Sequence, residues 1–574
     1  MAPTLGLIFG LGLVLLIGCA SGTGGGAKLE RRFATDAAGA APGTPLTKAE
    51  TSGYKATSTS AEVQAFIDAL RTRDGVAVQS MGKSSGGKDM PVLVLSRHGA
   101  FDPLAARALG RPIVMIVANI HAGEVEGKEV VLSLARDVLE GAARAYHQDM
   151  TLVLVPNFNP DGNDKISPSN RTMHLKELWG QLGPDEGVGD RQTAEGVDLN
   201  RDYILLRAVE SENLNTLFHA WSPDVYVDCH TTNGSILAYD LTFDAPHNLD
   251  TGIRATSLYA RDVLLPEVMR RLEARTGYRT FFYGNFRDNL DPTKGYETYP
   301  ALARYGANFR GLCGTIDILS ETYSYGDFRT RCDVNYEFLR EILEFVAANG
   351  TDIVRLTAAA KAEVVESGRR AAPDDLVGVS YMNVVRHEDG KVGFEFPVYP
   401  LMPWNIASYD AESLKEHRAP GTTLTFWPSV LYARYIATKW VSRPRGYLVR
   451  AAATRAIDHL RKHKIRIEPL AAAKTFRRAE SYSVLEIVAA GSQIGGFSRR
   501  DVVFSVRAER TTLKAEPGDV FVPLDQPLGT LALFLLEPES DDGLARWGFF
   551  ADQKAGSIFP VHRILAEEGV GGAQ

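Results

Sequence analysis

Three side chains able to bind one metal ion follow two apolar runs of the sequence. The run 113–119 leads into His121 and Glu124, and the run 224–228 leads, after one cysteine, into His230. Zinc prefers imidazole nitrogen and carboxylate oxygen, and a catalytic zinc site keeps three protein ligands and one open position. A His-x-x-Glu pair alone occurs in many surface turns, and a single strand-end histidine is more often a core residue. Two such strand ends in one chain favour a metal site of His121, Glu124 and His230.

A fold of alternating strands and helices would bring these three residues together. Short β-branched runs predict buried strands at 92–96, 113–119, 151–155, 224–228 and 315–319. Helical periodicity follows over 126–140. This alternation predicts an α/β fold with a mixed, mostly parallel sheet flanked by helices. The ligand site of such a sheet lies at the carboxyl ends of its strands, where His121 and His230 stand.

Five ordered motifs resemble those of the carboxypeptidase A-type zinc metallopeptidases. In chain order they are His121-x-x-Glu124, Asn159-Pro160-Asp161-Gly162, Gly196-Val197-Asp198-Leu199-Asn200-Arg201, the strand-end His230, and Leu319-Ser320-Glu321-Thr322. The resemblance covers roughly residues 50–350. It implies the zinc carboxypeptidase fold, one Zn²⁺ per chain, and hydrolysis of the last peptide bond of a peptide that has a free C-terminus.

The resemblance also implies a role for each matched residue. His121, Glu124 and His230 match the zinc ligands. Asp198 matches the acid that orients the first histidine by binding its outer ring nitrogen. Glu321 matches the general base, which takes a proton from water and later returns it to the leaving amine.

Two further matches concern the terminal carboxylate of the substrate. Asn200 and Arg201 match the pair that grips this group, and an arginine fork can donate two parallel hydrogen bonds to a carboxylate. A free carboxylate on the substrate is therefore expected, although this pair does not distinguish a peptide from another acylated amino acid.

The cation that stabilises the oxyanion and the tyrosine that covers the substrate are less well matched. Arg171 is our candidate for the cation, but it also aligns with a neighbouring subsite arginine, which would leave His174 or the zinc alone to do this work. Tyr299 precedes Glu321 at about the distance expected for the covering tyrosine. Tyr296 and Tyr323 are the alternatives.

The composition excludes several other classes of protein. The chain has 574 residues, with 63 basic and 70 acidic side chains and a net charge of −7, so it lacks the basic character of a nucleic-acid-binding protein. Four cysteines are too few for a disulfide scaffold or a cysteine-rich zinc module. Cys313 and Cys332 either pair, if the protein is exported, or remain buried thiols.

The N-terminus predicts export. Residues 5–18 form an apolar run that is too short to span a bilayer but suits a signal peptide. The run ends at Cys19 in a pattern that resembles a bacterial lipobox, which implies a signal peptide over 1–18 and a lipid anchor at Cys19. We therefore expect a protein anchored to a membrane of the bacterial cell envelope, at the outer membrane or in the periplasm, with secretion as the alternative. Residues 19–58 are rich in small and polar side chains and predict a flexible tether.

The domain boundaries follow from these patterns. A capping-box spacing at Thr59 opens the catalytic domain, predicted over 59–360, and a β-rich α+β domain of unknown role is predicted over 361–574. In the second domain, the acidic run 537–543 favours a solvated loop over a cation site. The sequence thus predicts a zinc metallocarboxypeptidase. The alternatives are a related zinc amide hydrolase that acts on cell-wall peptides or N-acyl amino acids, and a non-catalytic peptide-binding protein on the same fold.

Overall fold

The computed structural model describes residues 43–174, 179–232, 235–289, 291–385, 394–398, 422–494 and 497–566. The predicted signal peptide, Cys19 and the first part of the predicted tether lie outside these residues. Within the described ranges, no helix combines the length and the apolar character needed to cross a membrane.

A mixed eight-stranded sheet lies at the centre of the first part of the chain. The strands of this part are β1 (Val76–Lys83), β2 (Asp89–Leu95), β3 (Ile113–Ala118), β4 (Thr151–Val155), β5 (Val225–Thr231), β6 (Leu241–Asp244), β7 (Thr280–Phe282), β8 (Asn285–Phe286), β9 (Tyr296–Glu297) and β10 (Ile316–Thr322). The order across the sheet is β1-β2-β4-β3-β5-β10-β6-β7. The central strands β4, β3, β5 and β10 are parallel to one another, and antiparallel pairs occur towards the edges.

Helices cover both faces of this sheet, as the continuous apolar strands require. The helices of this part are α1 (Lys48–Thr51), α2 (Ser60–Leu70), α3 (Pro103–Ala108), α4 (Glu126–Glu140), α5 (Pro160–Asn163), α6 (Val209–Trp221), α7 (Ala255–Tyr259), α8 (Leu265–Thr276), α9 (Gly306–Gly311) and α10 (Phe328–Arg370). Along β4, Leu152 and Leu154 pack into one apolar cluster, while Val153 and Val155 pack into the other. Helices α2, α4, α8 and α10 contribute to the first cluster, and α6 contributes to the second. The predicted fold class is confirmed.

The second part of the chain is rich in β-structure. Its elements are β11 (Leu376–Val384), β12 (Phe394–Val398), β13 (Thr425–Ser429), β14 (Leu431–Tyr432), β15 (Arg434–Ser442), β16 (Gly446–Val449), α11 (Thr454–Lys462), β17 (Glu468–Pro469), β18 (Lys474–Ile494), β19 (Phe497–Ala515), β20 (Val520–Pro523), α12 (Gly529–Leu536) and β21 (Ile558–Ile564). Strands β17-β20-β16-β21-β18-β19 form an antiparallel sheet of six strands. Residues of α12 share an apolar cluster with strands of the central sheet, so the two parts pack together.

The folded part begins before residue 59, where we placed the end of the tether. Thr47 and Glu50 form a capping box at the start of α1, and Glu50 pairs with the buried Arg136 at 2.8 Å. The backbone and hydroxyl of Ser58 donate to the buried carboxylate of Glu129 at 2.7 and 2.9 Å. Residues 44–58 thus pack through polar contacts, which their low apolar content does not reveal.

The boundary between the two parts also differs from the prediction. Helix α10 continues past residue 360 and ends at Arg370, with a kink at Asn349 (φ −118°, ψ 15°). Ala371 follows in a left-handed conformation (φ 44°) and turns the chain towards β11. The second part therefore starts about ten residues later than the sequence pattern indicated.

The acidic run 537–543 is not a solvated loop. Glu537 is buried and accepts hydrogen bonds from the hydroxyls of Tyr447 and Tyr482 at 2.6 and 2.9 Å. Asp542 is also buried and pairs with Arg304 of the first part at 2.6 Å. The partners lie far away in sequence, so the run alone could not reveal them.

The described cysteines are unpaired. Cys229, Cys313 and Cys332 are all free and buried. We left open whether Cys313 and Cys332 form a disulfide or remain buried thiols, and in the structure they are buried thiols.

Candidate metal centre

The metal centre lies where the central parallel strands end. After β3, Asn119 takes a left-handed conformation (φ 64°), and the chain turns through His121 and Glu124 into α4. His230 lies near the end of β5, and Glu321 lies directly beside it on β10 in the parallel register. The pairing of β5 with both β3 and β10 therefore brings four polar side chains to one edge of the sheet.

The three predicted ligands converge. One candidate ligand atom from each of His121, Glu124 and His230 lies within 4.8 Å of the other two, and all three residues are buried. Nδ1 of His121 lies 3.1 Å from one oxygen of Glu124, and Nδ1 of His230 lies 3.0 Å from the other. The two Nδ1 atoms are 3.2 Å apart. Such spacings suit atoms that surround one tetrahedral ion at about 2.0–2.2 Å.

Two carboxylates hold the outer nitrogens of the histidines. Oδ1 of Asp198 lies 3.2 Å from Nε2 of His121, and Oδ1 of Asp228 lies 3.3 Å from Nε2 of His230. With a proton on each Nε2, both Nδ1 lone pairs point inward, which is the tautomer that a metal ligand needs. Asp228 was not predicted, although its position two residues before His230 places both side chains on one side of the strand.

The electrostatics of the cluster also favour a cation at its centre. Burial alone would raise the pKa of Glu124, but His121 and Arg171 lower this pKa well below its usual range. Burial would lower the pKa of His230, whereas Asp228 and Glu124 raise it well above 6.5. The negative charges of Glu124 and Asp228 around the inner nitrogens therefore favour a divalent cation at the centre of the triad. The donor set fits Zn²⁺.

Glu321 stands next to the triad without a partner for its carboxylate. Its side chain is buried, and among the described residues its carboxylate oxygens take part in no hydrogen bond or ion pair shorter than 4 Å. Burial, with a smaller contribution from Glu124, raises the pKa of Glu321 to about 8, although His230 opposes the shift. A largely buried carboxyl group without a partner beside a metal site is well placed to transfer protons.

Arg171 binds Glu124, one of the three predicted metal ligands. Its Nη1 donates to Glu124 at 2.7 Å, and Nη2 donates to the backbone oxygens of Thr231 and Thr232 at 3.5 and 3.3 Å. The guanidinium is therefore occupied in holding Glu124. His174, the alternative, is exposed, and its backbone pairs with Trp179.

A second arginine reaches the site, and sequence reasoning missed it. Nε of Arg191 donates to Asp198 at 3.0 Å, and Nη1 lies 3.5 Å from Glu124. The side chain of Arg191 is 28% exposed, in contrast to 5% for Arg171. Arg191 stands five residues before the Gly196 motif, and this nearness to Asp198 in sequence is the signal that could have revealed it.

Asn200 and Arg201, the predicted binding pair for the terminal carboxylate of the substrate, adjoin the metal site. We call this pair the carboxylate grip. Oδ1 of Asp198 accepts the backbone N–H of Asn200 at 3.0 Å as well as facing His121. Oδ1 of Asn200 accepts the backbone N–H of Gly306 at 3.0 Å, so its amide nitrogen points the other way. The guanidinium of Arg201 lies 4.3 Å above the ring of Tyr305, a cation–π contact that fixes its plane.

The three candidate tyrosines differ in their surroundings. Tyr296 is fully buried and donates to the backbone oxygen of Phe282, and the hydroxyl of Tyr323 accepts the backbone N–H of Leu237 at 3.1 Å, so both belong to the core. Tyr299 is partly exposed and donates to the backbone oxygen of Ala245 at 3.1 Å.

Another tyrosine lies closer to the charges of the site. The ring of Tyr283 lies 6.2 Å from that of Tyr299. Burial raises the pKa of Tyr283, and the negative charges of Glu321 and Glu124 raise it further. No sequence motif singled out Tyr283.

Comparisons with known proteins agree with these motifs. A family model described as zinc carboxypeptidase matches residues 63–238. Carboxypeptidase D of Mus musculus is 30% identical over 138 residues, which are 22% of this chain and 10% of that protein. Carboxypeptidase 2 of Trichophyton rubrum is 21% identical over 516 residues, which are 86% of this chain and 84% of that protein. The chain thus spans a small part of the first relative and most of the second.

Among solved structures, the chain is similar to a metallo-carboxypeptidase from Burkholderia cenocepacia. It is 17% identical, with a TM-score of 0.36 over 50% of this chain and 69% of that one. The family uses Zn²⁺, and His121, Glu124 and His230 form the site that can bind it. Over residues 63–238 this chain is similar to the zinc carboxypeptidase family, and four of the five ordered motifs lie within that range.

Proposed function

We propose that this protein is a zinc metallocarboxypeptidase that releases the C-terminal residue of a peptide with a free carboxylate. The observation that carries the proposal is the close grouping of a buried metal triad, an unpaired Glu321, and a carboxylate grip tied to the triad through Asp198. A binding protein without activity would have no need of an unpaired carboxyl group beside the metal.

The ligands and their neighbours prepare the site for the metal. Asp198 and Asp228 hold the outer nitrogens of His121 and His230, so that both inner nitrogens face the ion. A bound zinc ion supplies Lewis acidity, which lowers the pKa of a water molecule towards about 7 and polarises a carbonyl group. Glu321 lies beside His230 on the neighbouring strand, so its carboxyl group adjoins the residues that would hold the metal.

Glu321 acts as the general base and then as the general acid. It takes a proton from the attacking water and delivers it to the nitrogen of the leaving amino acid. Its lack of an ion pair leaves the carboxyl group available for both steps, and the positive charge of a bound metal would favour the ionised form that the first step needs.

We assign the cation that stabilises the oxyanion to Arg191. Arg171 donates to Glu124 and to two backbone oxygens, whereas the guanidinium of Arg191 is partly exposed beside the same carboxylate. Arg171 is then a support for the metal ligand. A pre-positioned donor at an oxyanion is typically worth a factor of about 10²–10³ in kcat.

Asn200 and Arg201 bind the terminal carboxylate of the substrate. The ring of Tyr305 holds the plane of the Arg201 guanidinium, and Gly306 orients the amide of Asn200. The ring of Tyr299 packs against that of Tyr305, with centroids 5.6 Å apart, and Tyr299 remains our candidate for covering the substrate.

The proposed location is the bacterial cell envelope, with a lipid anchor at Cys19. The apolar run 5–18 followed by a lipobox-like sequence supports this proposal. Processing that globomycin blocks, together with an acyl mass on Cys19, would establish the anchor. A soluble product cleaved elsewhere would instead establish secretion.

Digestion of a peptide library by the zinc-loaded protein, read by mass spectrometry, tests the activity. Loss of single C-terminal residues supports the proposal, and internal cleavage contradicts it. Release of amino acids only from cell-wall peptides or N-acyl amino acids would favour the related amide hydrolase. Binding without any turnover would favour the non-catalytic alternative.

A further inference from the structure

The segment 296–306, which we call the carboxylate loop, is attached at its start to the second part of the chain. It begins with β9, which pairs in parallel with β14. The backbone N–H groups of Tyr296 and Thr298 donate to the backbone oxygens of Val430 and Tyr432 at 2.8 and 3.1 Å. The side chain of Glu297 accepts from Asn383 of β11 at 2.9 Å.

The end of the carboxylate loop is attached to the second part as well. The backbone N–H of Arg304 donates to Asp542 at 2.5 Å, and its guanidinium binds the same carboxylate at 2.6 and 2.9 Å. Asp542 is fully buried and also accepts the indole N–H of Trp547 at 3.0 Å, while the ring of Trp547 lies 4.7 Å from the guanidinium carbon of Arg304. This is a buried, charge-assisted attachment of the kind that defines one geometry.

The residues directly after Arg304 contact the carboxylate grip. Tyr305 stacks on Arg201, and the backbone of Gly306 donates to Asn200. One residue thus separates a fixed point on the second part of the chain from the side chains that we propose bind the substrate. A shift of the backbone at Arg304 is passed to Arg201 and Asn200 without an intervening flexible segment.

We infer that the second part of the chain, through Asp542, positions the carboxylate loop and thereby sets the affinity for the terminal carboxylate of the substrate. Asp542 is a positioning residue, because it acts through Arg304 and Tyr305 and does not contact the grip itself. The inference rests on the proposed function only in that Asn200 and Arg201 bind this carboxylate. It gives the C-terminal region a role that the absence of a catalytic motif in its sequence left open.

The test compares two substrates in the full-length, zinc-loaded protein. Asp542→Asn keeps the shape of the side chain and removes the charge that pairs with Arg304. We expect KM for an N-acylated dipeptide with a free carboxylate to rise about tenfold or more, while kcat changes less than about twofold. Residual hydrolysis of the corresponding dipeptide amide, which offers the grip no carboxylate, is expected to stay the same. An unchanged KM for the free acid, or an equal loss on both substrates, would overturn the inference.

A matched control breaks a different ion pair between the two parts. Glu212 pairs with Lys462, and their side chains are 40% and 44% exposed, away from the carboxylate loop. Glu212→Gln should leave KM unchanged, and a rise equal to that of Asp542→Asn would show that any contact between the two parts has this effect. If Asp542→Asn does not fold, Trp547→Phe removes the indole N–H donor and part of the ring beside Arg304 while Asp542 keeps its charge, and it should raise KM less, with the same preference for the free acid. An unchanged KM in folded Trp547→Phe would then overturn the inference.

Hydrogen exchange separates this inference from the proposed activity. Peptides that cover residues 296–306 should exchange faster in Asp542→Asn than in the unmodified chain, whether or not the protein turns over a substrate. An unmodified protein that binds zinc without cleaving peptides would refute the proposed function, and the exchange rates would still decide the positioning. Equal exchange rates in the two chains would refute the positioning alone.

Discussion

Asp198 faces the outer nitrogen of His121 at 3.2 Å, and the same oxygen accepts the backbone N–H of Asn200 at 3.0 Å. One carboxylate therefore orients a metal ligand and also shapes the turn that carries the substrate grip. The metal site and the substrate site are thus linked by a single buried side chain.

Replacement of this carboxylate should weaken metal binding. Asp198→Asn keeps the size of the side chain but favours the wrong tautomer of His121, so we expect zinc affinity to fall by about 10–100-fold. Competition with a chelator measures this change. Glu195→Gln, an exposed change three residues earlier, is the matched control and should bind zinc as the unmodified protein does.

Removal of a ligand should abolish the site. We expect about one zinc per purified chain, in keeping with one triad, and loss of this zinc in His121→Ala. Metal analysis by mass spectrometry after gel filtration measures both. Full zinc content in His121→Ala, in a chain with an unchanged circular dichroism spectrum, would contradict the ligand assignment.

Glu321 should be required for turnover and not for metal binding. Glu321→Gln removes the proton acceptor and preserves the shape, so kcat should fall by about 10²–10⁴ while zinc content stays the same. Single-turnover hydrolysis of an N-acylated dipeptide provides the rate. Substantial residual activity in the zinc-loaded variant would rule out Glu321 as the general base.

The two arginines of the site should respond differently to substitution. Arg191→Met should lower kcat by about 10²–10³ with little effect on zinc content, since Arg191 contributes a donor to the oxyanion. Arg171→Met should instead weaken zinc binding, because it leaves Glu124 without its 2.7 Å partner. Parallel measurements of zinc affinity and kcat distinguish the two roles. If Arg171→Met lowered kcat and Arg191→Met weakened zinc binding, Arg171 would be the residue that stabilises the oxyanion.

The main parts of the site could be predicted because each rests on a local pattern. A β-branched run followed by a polar residue places that residue at a strand end, and parallel pairing brings such ends together. This reasoning was enough to place His121 and His230 on one edge, and the family resemblance added Glu321. Arg191 has only its nearness to Asp198 in sequence as a signal, and Tyr283 has none, so the approach of both to the site depends on loops whose course only the folded structure shows.

Long-range polar contacts account for the remaining differences. The segment 44–58 belongs to the predicted tether 19–58, which is poor in core-forming residues, and the run 537–543 was predicted as a solvated loop because it is acidic. Their stability comes from pairs such as Glu50 with Arg136 and Asp542 with Arg304, whose members lie 86 and 238 residues apart. Composition indicates which side chains carry charge, but it contains no information on the partner that each will find in the folded chain.

The pH dependence of stability should reveal the raised pKa of Asp541, which precedes Asp542 in the chain. Burial, with a contribution from the negative charge of Asp542, raises the pKa of Asp541 from 3.8 to about 8. The folded chain therefore binds this proton more tightly than the unfolded chain, so the contribution of Asp541 to stability falls as the pH rises from about 4 to about 8. Asp541→Asn, which stays neutral and can still accept the backbone N–H of Tyr381, should raise Tm relative to the unmodified protein at pH 8.5 and leave it unchanged at pH 4. Thermal melts at the two pH values measure the difference. A variant with the same Tm as the unmodified protein at both would show that Asp541 is ionised in the fold without cost.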